Sequence, residues 1–517
     1  MIHFDKDFRQ NQIKKLNETD TTYDICIVGG GITGAAIARD ASLRGYKTLL
    51  VEKNDFASGT SSRSSKLVHG GVRYLEHLEF SLVFESTRER AKLWKNAPHL
   101  VKPIGFIFPA YKKSRQPLWK LNLGLWLYDI LALFRTPTMH KKYNKKQTKK
   151  IEPSLNDKDL NGSIFYWDGI TDDASLVLAN LVEAHKNKAT CLSRINFEKS
   201  KLNSNKPHEI TLKDLITNET FNIKSKIIIS ATGPWTDEFL ADQSIKYRKV
   251  MRPTRGSHIV VPNTKLPVNN AIVIFHPDDE RVMFAIPWEE STIIGTTDIF
   301  TEQSPNDVVI TSEEIKYLLK AANEYFPDTN ITKKDVISTW SGLRPLVLEE
   351  GKSEAAISRD HFLKWVDPNI CLMTGGKLTT HREMAEQCVD LVSKKIKEGS
   401  IQIENQITKC QTDKKPLPFV NNYDPKKSKI GTSNSTCLDD KDIESIIKNQ
   451  MVLTIEDLLV RRTQIYYREP DNGLNFLQQK KTLIMSLLKI SNTQWEEQLT
   501  TYKKFLQTNI TSPIAGA

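Results

Sequence analysis

Residues 23–28 form a short, mostly apolar run that ends in Gly29-Gly30-Gly31-Ile32-Thr33-Gly34, and an Ala-rich stretch follows to Leu43. A second apolar run over 47–51 closes on Glu52. This pattern predicts a strand, a glycine turn, a helix and a second strand. Further apolar strands are predicted at 226–230, 257–261, 271–275, 282–288 and 291–295. The last four lie close together with turn residues between them, as in His276-Pro277-Asp278-Asp279, which suits an antiparallel sheet. From about 399 to 440 the chain turns polar and reads as a linker or long loop. Beyond it, 441–449, 454–463, 474–490 and 492–506 are predicted helices, the last opening on the capping-box pattern Thr493-x-x-Glu496.

The chain has 517 residues, room for roughly three domains. With 39% hydrophobic and 26% charged residues it is globular, neither wholly disordered nor collagen-like. Its net charge of +11 is local: residues 111–150 hold eleven Lys/Arg and one acid, Asp129. The rest of the chain is close to neutral. Six cysteines (Cys26, Cys191, Cys371, Cys388, Cys410 and Cys437) include no C-x-x-C pair, so neither a disulfide framework nor a metal site is expected, and a reduced, cytoplasm-facing location is. Residues 1–20 lack the apolar core of a signal peptide, and no uncharged apolar run reaches the ~18 residues of a membrane span.

Gly29-x-Gly31-x-x-Gly34 with Glu52 beyond it is the strongest local signal. The first glycine permits a tight turn, the second lets a pyrophosphate approach the backbone, and the third lets the helix pack on the strand. Glu52 would accept hydrogen bonds from ribose hydroxyls. The motif alone leaves NAD and FAD both open. Later features favour FAD: the short donors Thr60, Ser61, Ser62, Ser65 and Lys66; the strand leading into Ala231-Thr232-Gly233-Pro234-Trp235; and the strand leading into Gly375-Gly376-Lys377-Leu378-Thr379-Thr380. Backbone N–H groups at a helix start after Gly376 would stabilise negative charge on a reduced flavin.

Together with residues 64–76, which include Leu67, His69, Gly70, Arg73 and Tyr74, and with Gly256-Ser257-His258 and Ser341-Gly342-Leu343-Arg344-Pro345, these motifs resemble the FAD-dependent, membrane-associated glycerol-3-phosphate dehydrogenases. The resemblance is strong from about 20 to 395 and weaker in the helical C-terminus. It implies an α/β fold: a Rossmann-like FAD-binding domain of the D-amino-acid/glycine oxidase type (20–110, 150–240 and 340–396), an antiparallel-sheet substrate domain (241–339), a linker (397–440) and a small all-helical C-terminal domain (441–517). It further implies non-covalent FAD, oxidation of sn-glycerol 3-phosphate to dihydroxyacetone phosphate, electron transfer to a membrane quinone, and a homodimer.

A phosphorylated substrate and a flavin gaining hydride both call for fixed cations. At the matching positions the expected phosphate ligands are Arg73, Arg359 and Lys377, with Tyr74 beside them, and Arg344 stabilises the developing alkoxide. His258 is the expected base, because an ordinary imidazole pKa near ~6.5 suits that proton transfer. His69 is its rival, against a buried role beside the flavin.

Residues 118–134 are almost apolar all round, with Trp119, Trp126 and Tyr128, and lysines cluster over 141–150. This suits a helix lying in the headgroup region of an anionic lipid surface, each Lys contributing ~1 kcal/mol there. The alternative is a core helix followed by a solvated lysine loop. The membrane-contact segment is set at 111–149 and the protein at the cytoplasmic face of the inner or plasma membrane. No nucleic-acid-binding pattern is present. Competing readings are a glycerol-3-phosphate oxidase delivering electrons to oxygen, an amine or amino-acid oxidase, and a flavin-binding membrane adaptor without catalysis.

Overall fold

The first strand, Thr22–Val28, is buried along six of its seven residues, as a central parallel strand requires. The computed structural model describes residues 3–18, 21–112, 114, 116–203, 206–348, 360–419 and 438–509. Thr22–Val28 pairs in parallel with Thr48–Glu52 on one side and Thr220–Ser230 on the other. Ile370–Gly375 extends the sheet in parallel, and His361–Asp367 closes it as an antiparallel edge. Alternate residues feed two cores. Ile25, Ile27 and Leu50 join the helices Ile32–Arg44, Asp173–Lys186 and His381–Lys395, whereas Cys26, Val28, Leu49 and Val51 meet the hairpin Ile195–Lys201/His208–Asp214 and the N-terminal helix Lys6–Glu18.

The four closely spaced strands form antiparallel neighbours, Thr254–Pro262, Ser291–Gly295, Val282–Trp288 and Ala271–Phe275. They belong to a larger sheet than residues 241–339 supply. Ala271–Phe275 pairs in parallel with Val101–Tyr111, which pairs with Leu160–Thr171, and Leu67–Val68 and Lys141–Asn144 add to that strand. Pro103 and Pro109 obscure Val101–Tyr111 in the sequence, and its partner lies about half a hundred residues away, so local pattern does not reveal the pair.

The C-terminal helices Asp440–Asn449, Leu474–Leu488 and Asn492–Asn509 pack on one core with Trp288 and Trp340 of the second sheet. The last helix starts earlier than Thr493: Ser491 and Gln494 exchange the two capping-box bonds, at 3.0 and 3.2 Å, in place of Thr493 and Glu496. The span 401–419 has no helix or strand and packs back on the molecule, Leu417 N–H donating to Asn96 O at 2.8 Å. Among the described residues no helix is long and apolar enough to cross a membrane.

Candidate active site

The first strand delivers the chain into Gly29, whose φ of +110° is closed to most side chains. A Cβ on Gly34 would sit 1.9 Å from the Gly29 carbonyl oxygen, so Ile32–Arg44 reaches the turn only because residue 34 has none. Gly29, Gly31, Ile32 and Thr33 border a cavity of about 370 Å³. The positive end of the helix therefore faces it. Glu52 borders the same cavity; its Oε2 accepts from Gly30 N–H and its Oε1 from Asn54 N–H, both at 2.7 Å. Burial raises the Glu52 pKa, and these two backbone donors oppose the shift. A carboxylate oxygen accepts two hydrogen bonds, so acceptor capacity remains for ribose hydroxyls.

Of the Ser-rich loop, Thr60, Ser61 and Ser65 border the cavity. Thr60 Oγ1 donates to Leu343 O at 2.6 Å, and Ser61 Oγ accepts from Ile32 N–H at 2.9 Å. Ser62 and Lys66 differ from expectation. Ser62 is buried, its carbonyl accepting from Lys66 Nζ at 2.8 Å, and the Lys66 ammonium is paired with Asp173 at 2.6 Å. A lysine needs such a carboxylate once buried, so this side chain serves the wall from behind. Leu67, Ala231, Gly233, Gly376, Leu378 and Thr379 all border the cavity. Thr379 Oγ1 bridges to His69, accepting from its N–H at 3.1 Å and lying 3.2 Å from its carbonyl.

His258 lies on Thr254–Pro262, 2% exposed, with its ring stacked on Trp340 at 4.8 Å. Nε2 is 2.8 Å from Ser65 Oγ, while Nδ1 has no hydrogen-bond partner among the described residues. Burial pushes the imidazole well below its ordinary 6.5, and the Arg344 guanidinium and Lys66 ammonium push the same way. The ordinary value expected from sequence therefore does not hold here, and this histidine is neutral at pH 7. Arg344 donates through Nη1 to Asp298 Oδ1 at 2.9 Å and through Nη2 to Thr296 Oγ1 at 3.0 Å. Two glycines make room for the pair: a Cβ on Gly295 would lie 2.3 Å from the His258 ring, and one on Gly256 would lie 2.4 Å from Arg344 Nη2.

His69, Tyr74, His258, Arg344 and Lys377 thus border one cavity. Lys377 Nζ lies 4.1 Å from the Tyr74 ring centroid and donates to Ser86 Oγ at 3.0 Å. Arg73 borders a second cavity of about 910 Å³, which shares Ser65, Leu67, His69, Tyr74, Phe284 and Arg344 with the first. Arg359 lies outside the described residues.

The second cavity opens along the helix Leu118–Leu131. Leu121, Leu125 and Tyr128 of this helix are buried, whereas Trp119 is 68% exposed and Leu123, Trp126 and Ile130 also face solvent, beside exposed Leu78, Phe80 and Phe84. The lysine cluster is an ordered segment: Lys141–Asn144 is an edge strand, and Lys145–Ile151 is a helix capped by Asn144 and Gln147.

One residue expected at the cofactor lies off the cavity, and one further cation is not marked in the sequence. Gly70 does not border the first cavity; its N–H donates at 2.9 Å to Asp168 Oδ1, itself bound by Arg90 and by Tyr128 Oη. A Cβ on Gly70 would meet Tyr128 Oη at 2.1 Å. Arg281, paired with Asp298 at 3.2 Å, is a further cation on the second cavity. Asp168 is distant from Gly70 in sequence, and Arg281 beside Asp279 reads as any surface ion pair, so nothing local marks either role.

Residues 24–391 match the family model described as FAD dependent oxidoreductase. The chain is 40% identical over 403 residues to the aerobic glycerol-3-phosphate dehydrogenase of Staphylococcus epidermidis, an alignment covering 78% of this chain and 72% of that protein. It is similar in structure to the glycerol-3-phosphate dehydrogenase of Bacillus halodurans complexed with FAD, with a TM-score of 0.75, 27% identity and 98% of each chain covered. The FAD-bound L-alpha-glycerophosphate oxidase of Mycoplasma pneumoniae shares the fold at a TM-score of 0.60 and 20% identity, over 77% of this chain and 100% of that one.

Proposed function

We propose, for a chain that belongs to the FAD dependent oxidoreductases and among them to the glycerol-3-phosphate dehydrogenases, that it oxidises sn-glycerol 3-phosphate to dihydroxyacetone phosphate and delivers the electrons to a membrane quinone. The observation that carries the substrate half is a neutral, buried His258 on the first cavity, between Ser65 and the Arg344 guanidinium, two residues that border both cavities.

The residues present fit FAD. The cradle around Gly29, Gly31 and Gly34 is one that a Cβ would fill, and Glu52 keeps acceptor capacity toward the cavity. The glycine turn and the N-terminus of Ile32–Arg44 would hold the pyrophosphate, Glu52 the ribose, and the backbone of 376–379 the flavin end. When bound, the flavin supplies a hydride acceptor.

His258 takes the proton of the substrate's secondary hydroxyl. With Ser65 Oγ–H donating to Nε2 at 2.8 Å, the Nε2 lone pair takes that proton by way of the Ser65 hydroxyl, which passes on its own proton and receives the substrate's on the wall of both cavities. Arg344 stabilises the developing alkoxide, fixed in place by Asp298 and Thr296 so that little reorganisation is needed. Arg73 and Lys377 hold the phosphate, and Tyr74 orients the Lys377 ammonium. On this reading the sheet built on Thr22–Val28 carries the cofactor, and the sheet holding Thr254–Pro262 and its neighbour Ser338–Arg344 supplies base and oxyanion cation.

The quinone half is supported by the second cavity, which leads from Arg344 to an exposed apolar helix face. Trp119, Leu123 and Ile130 would enter the interface of a cytoplasm-facing bilayer, and the nearby lysines would draw in anionic lipids. Quinone reduction and hydrogen peroxide release, measured side by side on substrate-reduced holoenzyme, test this. The account expects electrons to appear in quinone, and electrons appearing mainly in peroxide would make the protein an oxidase.

A further inference from the structure

Residues 457–468 lie beyond residue 391, where the matched family region ends, yet at three places they bond to residues that sit directly behind the lining of the cofactor cavity. At the first, Arg462 grips the Asp55 carboxylate with both arms, Nη1 at 2.6 Å from Oδ2 and Nη2 at 2.7 Å from Oδ1, and Arg461 Nε bonds Oδ2 as well. Arg461 Nη2 continues to Asp457 Oδ1 at 2.9 Å, which accepts from Arg194 Nη2 at 2.8 Å, and Arg194 N–H donates to Asn54 O at 2.9 Å. At the second, Gln464 Nε2 donates to Asp172 Oδ1 at 2.6 Å, next to the Asp173 that binds Lys66 and Ser64. At the third, Ser338 Oγ donates to Tyr467 O at 2.6 Å.

Asp55 occupies the middle of the loop that follows the second strand. Glu52, Lys53, Asn54, Ser58 and Gly59 around it border the cofactor cavity, while Asp55 does not and is 1% exposed. The loop is tied to the glycine turn by Ala57 N–H donating to Gly30 O at 3.0 Å. A further tie is the arginine pair of the C-terminal helical unit. The paired guanidinium groups hold the Asp55 carboxyl far below the usual carboxylate range despite its burial. A buried carboxylate that loses its forked partner must find water or a new partner. Any shift of Asp55 toward one carries its chain neighbours Asn54 and Ser58, which line the cavity.

We infer that Arg461 and Arg462 are positioning residues for FAD: through Asp55 they hold residues 52–59, and with them Glu52, in the shape that takes the adenosine end of the cofactor. This rests on the assignment of the cavity to FAD. It makes the C-terminal helical unit part of the cofactor site, although it contributes no residue to the cavity wall at this end.

The test uses the full chain, stripped of FAD and titrated with FAD and with ADP, which presents the adenosine end alone. Arg462→Gln, which leaves Arg461 on Asp55, is expected to raise the FAD and ADP dissociation constants at least tenfold. Arg462→Lys keeps the charge without the fork and should fall between. The rise in melting temperature that FAD gives should shrink in the same order. A purely structural role would lower the melting temperatures of the FAD-free and FAD-bound forms equally and leave that rise intact, which overturns the inference. FAD and ADP dissociation constants within twofold of the unaltered chain overturn it too. If Arg462→Gln does not fold, Arg462→Lys is held to the same twofold limit. Whether glycerol 3-phosphate bleaches the unaltered holoenzyme is independent of these titrations, so failure here leaves the assigned reaction standing.

Discussion

The glycine turn lines the cavity with backbone from within six residues, whereas another part of the lining draws Ser65, His258, Arg344 and Lys377 from separate elements between residues 65 and 377. On the turn the absence of side chains is what counts. Gly34 admits the helix, and the peptide N–H groups and helix dipole are there whatever the neighbouring side chains are. On the wall, side-chain burial and charge decide the chemistry: His258 is neutral because it is buried between two cations, and Arg344 is rigid because Asp298 and Thr296 hold it. A backbone site fails all at once when a Cβ intrudes. A side-chain site loses rate residue by residue while still holding its cofactor.

The largest effect should therefore come from the turn. Gly34→Ala places a Cβ 1.9 Å from a carbonyl oxygen, and the purified protein is expected to carry no flavin absorbance. Full FAD content in that variant would break the distinction. On the wall, His258→Asn should keep FAD and slow flavin reduction by ~10²–10⁴-fold in anaerobic stopped flow, the usual range for a lost general base. In the unaltered protein the His258 imidazole stays neutral as pH falls through 6.5, so, with His258 as the proposed base, the acid limb of flavin reduction at saturating substrate is expected below that pH. It should disappear in His258→Asn. Arg344→Met should keep FAD and cost ~10²–10³-fold in the same measurement, as for removal of one preorganised oxyanion donor.

The smallest effect belongs to neither side. Trp119 is 68% exposed and borders neither cavity, so Trp119→Ser should leave melting temperature and flavin reduction near those of the unaltered chain. Its partitioning to vesicles containing anionic lipid, followed by sedimentation, should fall roughly tenfold if the helix lies in the interface. Unchanged partitioning would move the membrane contact elsewhere.

The same contrast explains what the sequence revealed. Gly29, Gly31, Gly34 and Glu52 stand out because a strand, a turn and a helix within thirty residues impose them, and the structure brings all four together. His258, Arg344 and Lys377 were reached only through motif resemblance, since no local pattern tells a cavity arginine from a surface one. Their surroundings were not legible. Lys66 reads as a cavity donor until Asp173 is seen to take it, and Gly70 reads as a cavity glycine until Asp168 and Tyr128 appear beneath it. Asp55 and Arg462 are separated by 407 positions, and only the fold brings them within 2.6 Å. The second sheet hid its extent likewise, because pairing between Val101–Tyr111 and Leu160–Thr171 leaves no trace in either run alone.

The proposed reaction couples oxidation of glycerol 3-phosphate at the wall carrying His258 and Arg344 to reduction of the cofactor held by the glycine turn. It is tested most directly by titrating the anaerobic FAD-loaded protein with sn-glycerol 3-phosphate and following the flavin absorbance band. The account predicts bleaching of the band in proportion to substrate added, with dihydroxyacetone phosphate formed in equal amount. A band that persists at saturating glycerol 3-phosphate would contradict it.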